Sequence, residues 1–397
     1  MDCRKREVRR RIARYGRGAG SRLRRRSHVT LAAAAGLVVL AAGCGGQASG
    51  SAPPGAGSLL ADGGNSSISG SYGLVSPANH PPASRGSHDP GGPRGGSPGG
   101  SSRSGVIGGA LFGGDGPLAA EQGRLGRKLA IVRVYYQIGD SFPGQPNNPL
   151  ITGGSTMLVS LDSSGASYAA IAAGRQDAAI STFLRQVDQT AVRSGMGAIY
   201  ICFQHEPDGP QHRSLGSPAQ FVRAWDHVRQ LAQSAHLDWN QGGRLHWVWI
   251  LIHGSFLSAR ASMFWPGTSE VDIIAADGYN SSACKTANDG AAPSASADAE
   301  ATPASLFNPV VGFAADHGGL PVFISEWGSD THPSGVQPEF IHQMQSYVAA
   351  NREIEAALYW DSGFGCNYSI NGNSASVAAL AAMGHSAAMQ GRVEPVG

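Results

Sequence analysis

The sequence predicts a (β/α)8 TIM barrel, an α/β fold, from three observations. Eight short apolar runs recur between residues 106 and 360, segments with helical spacing lie between them, and the stretch that holds both has the length of one such barrel. The runs are VIGGALF (106–112), LAIVRVYY (129–136), STMLVSL (155–161), MGAIYICF (196–203), RLHWVWILI (244–252), VDIIAAD (271–277), LPVFISE (320–326) and IEAALYW (354–360). The fourth, with Ile199, Tyr200, Ile201, Cys202 and Phe203, shows no polar alternation, as expected of a parallel strand covered on both faces. Between the runs, Ile180, Phe183, Leu184, Val187 and Ala191 share one helical face. Phe221, Trp225, Val228 and Ala232 share another, after a Ser217 cap and Pro218 in the first turn. Phe340, Ile341, Met344, Tyr347 and Val348 make a third. The segment around Pro309 is weaker and reads as open to a break into two short pieces, because proline removes a backbone donor. An open doubly wound sheet is the structural alternative.

The barrel is expected to occupy residues 105–391 of the 397. In the first 28 residues, 12 Arg or Lys stand against Asp2 and Glu7, and an uncharged run from Val29 to Gly43 ends at Cys44. This pattern predicts an export signal over residues 1–44 rather than a spanning helix. The stretch LAAGC (40–44) resembles a bacterial lipoprotein signal, whose cysteine is lipidated; lipidation of Cys44 and plain secretion are both open. The expected location is extracellular, either anchored to the outer face of the cell membrane or free. Residues 45–104 hold 38 Gly, Ser or Pro out of 60, too few apolar groups to offset the entropy of ordering, and predict a disordered linker. Past residue 43, 18 Lys or Arg face 26 Asp or Glu, a net of −8, so the formal +2 of the whole chain comes from the signal. Nucleic-acid binding therefore lacks electrostatic support, and membrane contact is expected only through the N-terminal lipid. Cys284 and Cys366, in loops rich in Gly, Asn and Ser, are a candidate disulfide in an exported protein, with two free thiols as the alternative.

In a barrel of this class the site lies at the C-terminal ends of the strands. Those ends carry Asp162, then His205 and Glu206, His253, Asp277 and Tyr279, Glu326 and Trp327, and finally Trp360 and Asp361. A glutamate closing a buried strand is poorly solvated, and here two of them, on the fourth and seventh strands, face each other across the mouth. Glycosidic cleavage needs such a pair: one carboxyl protonates the leaving oxygen, the other attacks or activates water.

The motifs HEPDG (205–209), FISEWG (323–328), AAGRQDAAI (172–180), FWPGTSEVDIIAADGYN (264–280) and ALYWDS (357–362) follow one another in an order and spacing that resemble glycoside hydrolase family 26, best known for β-mannanases. The resemblance covers nearly all of residues 106–375. It implies Glu206 as general acid/base and Glu326 as nucleophile, with retention by double displacement. It further implies His205 contacting the sugar or orienting the nucleophile, Tyr279 bonding the nucleophile, and Trp360 offering its face to the sugar. Asp277 and Trp327 join the substrate-binding set, Trp327 being readable as barrel packing too. The implied partner is a polysaccharide, with no cofactor or metal, and the chain is expected to be a monomer.

The sequence departs from the family where Phe203 and Gln204 stand near a usual arginine and where Ile252-His253 replaces a common Pro-Asn. These departures leave the choice of β-glycan open, and the rival class is a non-catalytic glycan-binding lipoprotein with a degenerate barrel. A zinc HExxH reading fails because residue 209 is glycine. IGDSFPG (138–144) resembles the nucleophile block of a serine esterase class, but the D-x-x-H element those enzymes need is missing, since His332 follows Asp330 one residue too early.

Overall fold

The computed structural model describes residues 103–144, 154–281, 301–331, 335–363 and 366–394. The expected signal with Cys44, the linker up to residue 102, and Cys284 lie outside the described residues. Eight strands form a closed parallel barrel: β1 (Val106–Gly114), β2 (Ile131–Gln137), β3 (Thr156–Asp162), β4 (Ile199–Phe203), β5 (Leu245–Ile252), β6 (Ile273–Asn280), β7 (Val322–Ser329) and β8 (Ile354–Tyr359). Each pairs in parallel with the next, and β1 closes the ring by pairing with both β8 and β2. This is a (β/α)8 TIM barrel. Strands β6 and β7 run three residues past the apolar stretches that announce them, so Tyr279 and Glu326 lie within the sheet rather than in loops.

Alternation along the strands divides the apolar residues into two layers. Leu111, Ile131, Leu158, Tyr200, Cys202, Val248, Ile250, Phe323 and Leu358 fill the inside of the barrel. The opposite faces meet the helices in the larger outer layer. Helix Asp177–Arg193 buries Ile180, Phe183, Leu184, Val187 and Ala191, the face its sequence predicts. Helix Pro218–Ser234 starts on a reciprocal cap between Ser217 and Gln220, with Pro218 where its missing N–H costs nothing. Helix Val336–Ala350 buries Phe340, Ile341, Met344 and Val348.

The break expected at Pro309 is absent: one helix runs from Pro303 to Asp316. Leu306, Phe307, Val310 and Ala314 are buried along one side of it, and this packing outweighs the single backbone bond that proline removes.

The lower end of the barrel, where the strands begin, is closed by residues outside the expected boundaries. A ninth strand, β9 (Gln390–Val393), pairs antiparallel with β1, and the Glu394 amide donates to the Gly105 carbonyl at 2.7 Å. The Tyr200 hydroxyl donates to the Ser104 carbonyl at 2.8 Å, His246 Nδ1 lies 2.6 Å from the Arg103 carbonyl, and Ser104 Oγ bonds Glu355. The folded unit therefore includes residues 103–104 and 392–394 as well as 105–391.

Candidate active site

At the upper end of β4 the chain leaves the strand through two left-handed residues, Gln204 (φ 53°) and Glu206 (φ 48°). Such a backbone costs about 1–3 kcal/mol per non-glycine residue and persists only where its surroundings enforce it. Here they do. The Gln204 amide N–H donates to the Leu161 carbonyl at 2.8 Å, and its side chain donates to Asp162 at 2.9 Å and accepts from the Ser163 amide at 3.0 Å. The Glu206 N–H donates to the Ile250 carbonyl at 3.1 Å. The Glu206 carbonyl accepts from the Gly209 amide at 2.9 Å and lies 2.8 Å from His212 Nδ1. Asp208 accepts from Ser255 Oγ at 2.5 Å and from the Ile252 amide at 3.2 Å, while Arg260 donates to the Asp208 carbonyl at 2.6 Å. The HEPDG turn is thus tied to β3 on one side and β5 on the other, and it fixes where the Glu206 carboxyl goes.

Glu326 reaches the mouth by a different device. Ile324 pairs with Ala276 and Glu326 with Asp277, so Ser325 is an extra residue in β7, a β-bulge. The bulge lets two consecutive residues face the same side: Ser325 Oγ donates to Asp277 Oδ1 at 2.6 Å, and Glu326 joins Asp277 on one guanidinium. That guanidinium is Arg133 of β2, fully buried, with Nη1 2.9 Å from Asp277 Oδ1 and 3.1 Å from Glu326 Oε1. Two phenols complete the shell of Glu326: Tyr135 of β2 donates to Oε1 and Tyr279 of β6 to Oε2. A cation and two hydroxyl donors thus all face the oxygens of this carboxyl as an acceptor.

Glu206 has the opposite surroundings. Burial first, then the negative charges of Asp277 and Glu326, push its carboxyl up to about 9 against the pull of Arg133. Among the described residues one side-chain hydrogen bond reaches the carboxyl, donated by Gln211 Nε2 to Oε2 at 3.3 Å. Burial also pushes Asp277 up, with Arg133 opposing and Glu326 reinforcing it. His205 is held well below its usual range by burial, aided by Arg133, so its ring is neutral at neutral pH. Its Nδ1 is buried without a hydrogen-bond partner among the described residues.

The structure brings together Glu206, Glu326, His205, Asp277, Tyr279 and Trp360. Trp360 is half-buried and stands edge-on to Tyr135, ring centres 5.7 Å apart. Tyr279 stacks on Tyr368 at 4.7 Å. Trp327 is the exception: it is completely buried, edge-on to Tyr359 at 4.9 Å and against Phe340 of the outer helix. Adjacent strand residues point to opposite faces, so once Glu326 faces the mouth Trp327 must face the helices. It is packing, and it offers no face to a sugar. Asp162 and Asp361 serve as loop anchors, Asp361 accepting from the Ile370 amide at 2.9 Å. Cys202 is a buried free thiol inside the barrel, and Cys366 is disulfide-bonded. Among the described residues no group of three or more His, Cys, Asp or Glu side chains is gathered to hold a metal.

Sequence reasoning missed Arg133 and Tyr135. The signal was present: a single arginine in an otherwise apolar run, LAIVRVYY, is a buried charge that requires a partner, and the residue two places on shares its face.

Neither a protein-family model nor a curated protein sequence matches the chain. Solved structures do. A family 26 β-mannanase from Bacteroides ovatus is 12% identical and superimposes with a TM-score of 0.51 over 71% of this chain and 90% of its own. The GH26C protein of a Muricauda species is also 12% identical, with a TM-score of 0.50 over 72% of this chain and 90% of its own. At such identity these neighbours establish the fold that this chain shares with glycoside hydrolases of that family.

Proposed function

We propose that the protein is a glycoside hydrolase that cleaves a β-linked polysaccharide, a mannan or a related β-glycan, outside the cell. The observation that carries the reading is the contrast between two carboxyl groups at one barrel mouth. Glu206 keeps its proton to about pH 9, whereas Glu326 is surrounded by a cation and two hydroxyl donors. Two carboxyls in such different surroundings suit an acid and a nucleophile.

In the first step Glu326 attacks the anomeric carbon, the bond from that carbon to the leaving oxygen breaks, and Glu206 gives its proton to the departing oxygen. In the second, Glu206, now ionised, takes a proton from water as the water displaces Glu326. Double displacement with retention is what the resemblance of HEPDG and FISEWG to family 26 motifs implies for this pair. His205 would meet a sugar hydroxyl and Trp360 would carry the sugar ring, whereas Asp277, expected in the substrate-binding set, is fully buried against Arg133 and Ser325 and supports the site from beneath. Export rests on the basic stretch and apolar run of residues 1–44, with Cys44 as the site of a lipid anchor.

The test is product release from β-mannan, glucomannan, mixed-linkage glucan and xylan by the chain from residue 103 onward, beside Glu206→Gln and Glu326→Gln. Cleavage by the unmutated protein and its loss in both variants is the expected result, and proton magnetic resonance of the first product reports the anomeric outcome. Binding of one polymer without cleavage would instead make this a glycan-binding protein.

A further inference from the structure

We infer that Tyr135 positions the nucleophile by occupying one of its two oxygens, so that Oε2 of Glu326 is the atom that attacks; the inference rests on the glycosidase reading. A carboxylate offers about four lone-pair sites, two on each oxygen. Oε1 accepts from the Tyr135 hydroxyl and also lies 3.1 Å from Nη1 of the Arg133 guanidinium, so two groups crowd it. Oε2 accepts from the Tyr279 hydroxyl, and no other donor among the described residues reaches it. The less crowded oxygen, the one open to form a bond to carbon, is therefore Oε2.

Tyr135 differs from its partners in that clamp by its exposure. Arg133 is buried, but Tyr135 is 40% exposed, and its ring stands between His205 (5.4 Å between ring centres) and Trp360 (5.7 Å). It also lies over the Arg133 guanidinium at 5.2 Å. The side chain is thus held from below by the cation, from the sides by two rings, and at its tip by the nucleophile. In the first step the new bond forms between Oε2 and the anomeric carbon while the bond to the leaving oxygen breaks with Glu206 as proton donor. Throughout it, Tyr135 keeps Oε1 turned away. Without the hydroxyl, Oε1 keeps only its ion contact with Arg133, and the rotation of the carboxylate about the Cγ–Cδ bond is less restrained.

The experiment is Tyr135→Phe, which removes one oxygen from a partly exposed side chain, compared with wild type and Glu326→Gln on the polymer that wild type cuts. The expected result is a fall of roughly 100-fold in kcat, the scale on which single positioned donors act, with KM little changed. The urea midpoint of unfolding serves as the control for structure, and if that midpoint falls, kcat and KM are measured below the onset of unfolding of Tyr135→Phe. An active wild type with Tyr135→Phe at the same kcat overturns the inference and leaves the glycosidase reading standing. A wild type that cuts nothing overturns both.

Discussion

At the lower end of the barrel a phenol, Tyr200, donates to the carbonyl of Ser104, and an imidazole, His246, meets the carbonyl of Arg103. At the upper end two phenols, Tyr135 and Tyr279, donate to one carboxylate, and an imidazole, His205, keeps a buried nitrogen without a hydrogen-bond partner among the described residues. The residue types are the same and the partners are not. Below, this phenol and this imidazole are matched to backbone that must be satisfied anyway, and the result is closure. Above, they are gathered on side-chain charges, with strained backbone at Gln204 and Glu206, and with Asp277 Oδ2 and Arg133 Nε buried without a hydrogen-bond partner among the described residues. Buried polar groups cost stability unless satisfied, so an end built this way is explained by chemistry rather than by folding.

The largest break in the comparison is at Arg133. Replacing it by methionine leaves Asp277 and Glu326 facing each other without their cation, and the expected loss is about 3–5 kcal/mol in urea unfolding at neutral pH. The loss should shrink in mildly acid buffer, where Asp277 can take up a proton; a deficit independent of pH would mean that Arg133 acts by packing alone.

A matched pair of phenol deletions separates the two ends. Tyr279→Phe should lower kcat/KM by roughly 100-fold, since it removes a donor on the attacking oxygen. Tyr200→Phe should cost about 1 kcal/mol of stability and leave the kcat/KM of the folded protein unchanged. Equal effects on rate would erase the distinction drawn here.

A finer test uses pH. In the fold Glu206 holds its proton to about 9, against an ordinary value of 4.5, so between those values the unfolded chain binds fewer protons than the folded one. The stability contribution of this raised carboxyl is present below pH 4.5 and is lost as pH rises toward 9. Glu206→Gln should therefore become progressively more stable relative to wild type across that window in parallel melts. The wild-type rate should fall on the alkaline side as the acid loses its proton near pH 9.

Much of this was legible in the chain. The eight strands could be read because each is an apolar run, and Glu206 and Glu326 stood out because carboxylates closing such runs are anomalous. Trp327, readable as sugar contact or as packing, is packing, because period two along a strand puts it on the face opposite Glu326. β9 had no signal, since QGRV is short and polar and owes its existence to the lower half of β1, which β2 leaves unpaired. The unbroken helix through Pro309 was decided by the surface it covers.

The sequence by itself determined the order of elements, the barrel class and the two glutamates, because burial patterns and strand ends are local properties. The tertiary structure decided that Arg133 and Tyr135 of β2 reach Glu326 of β7, 193 and 191 positions away in the chain. It also decided that a one-residue bulge at Ser325 turns Glu326 toward them. Pairing register and closure of the ring bring these residues together, and neither is written in the residues flanking any one strand.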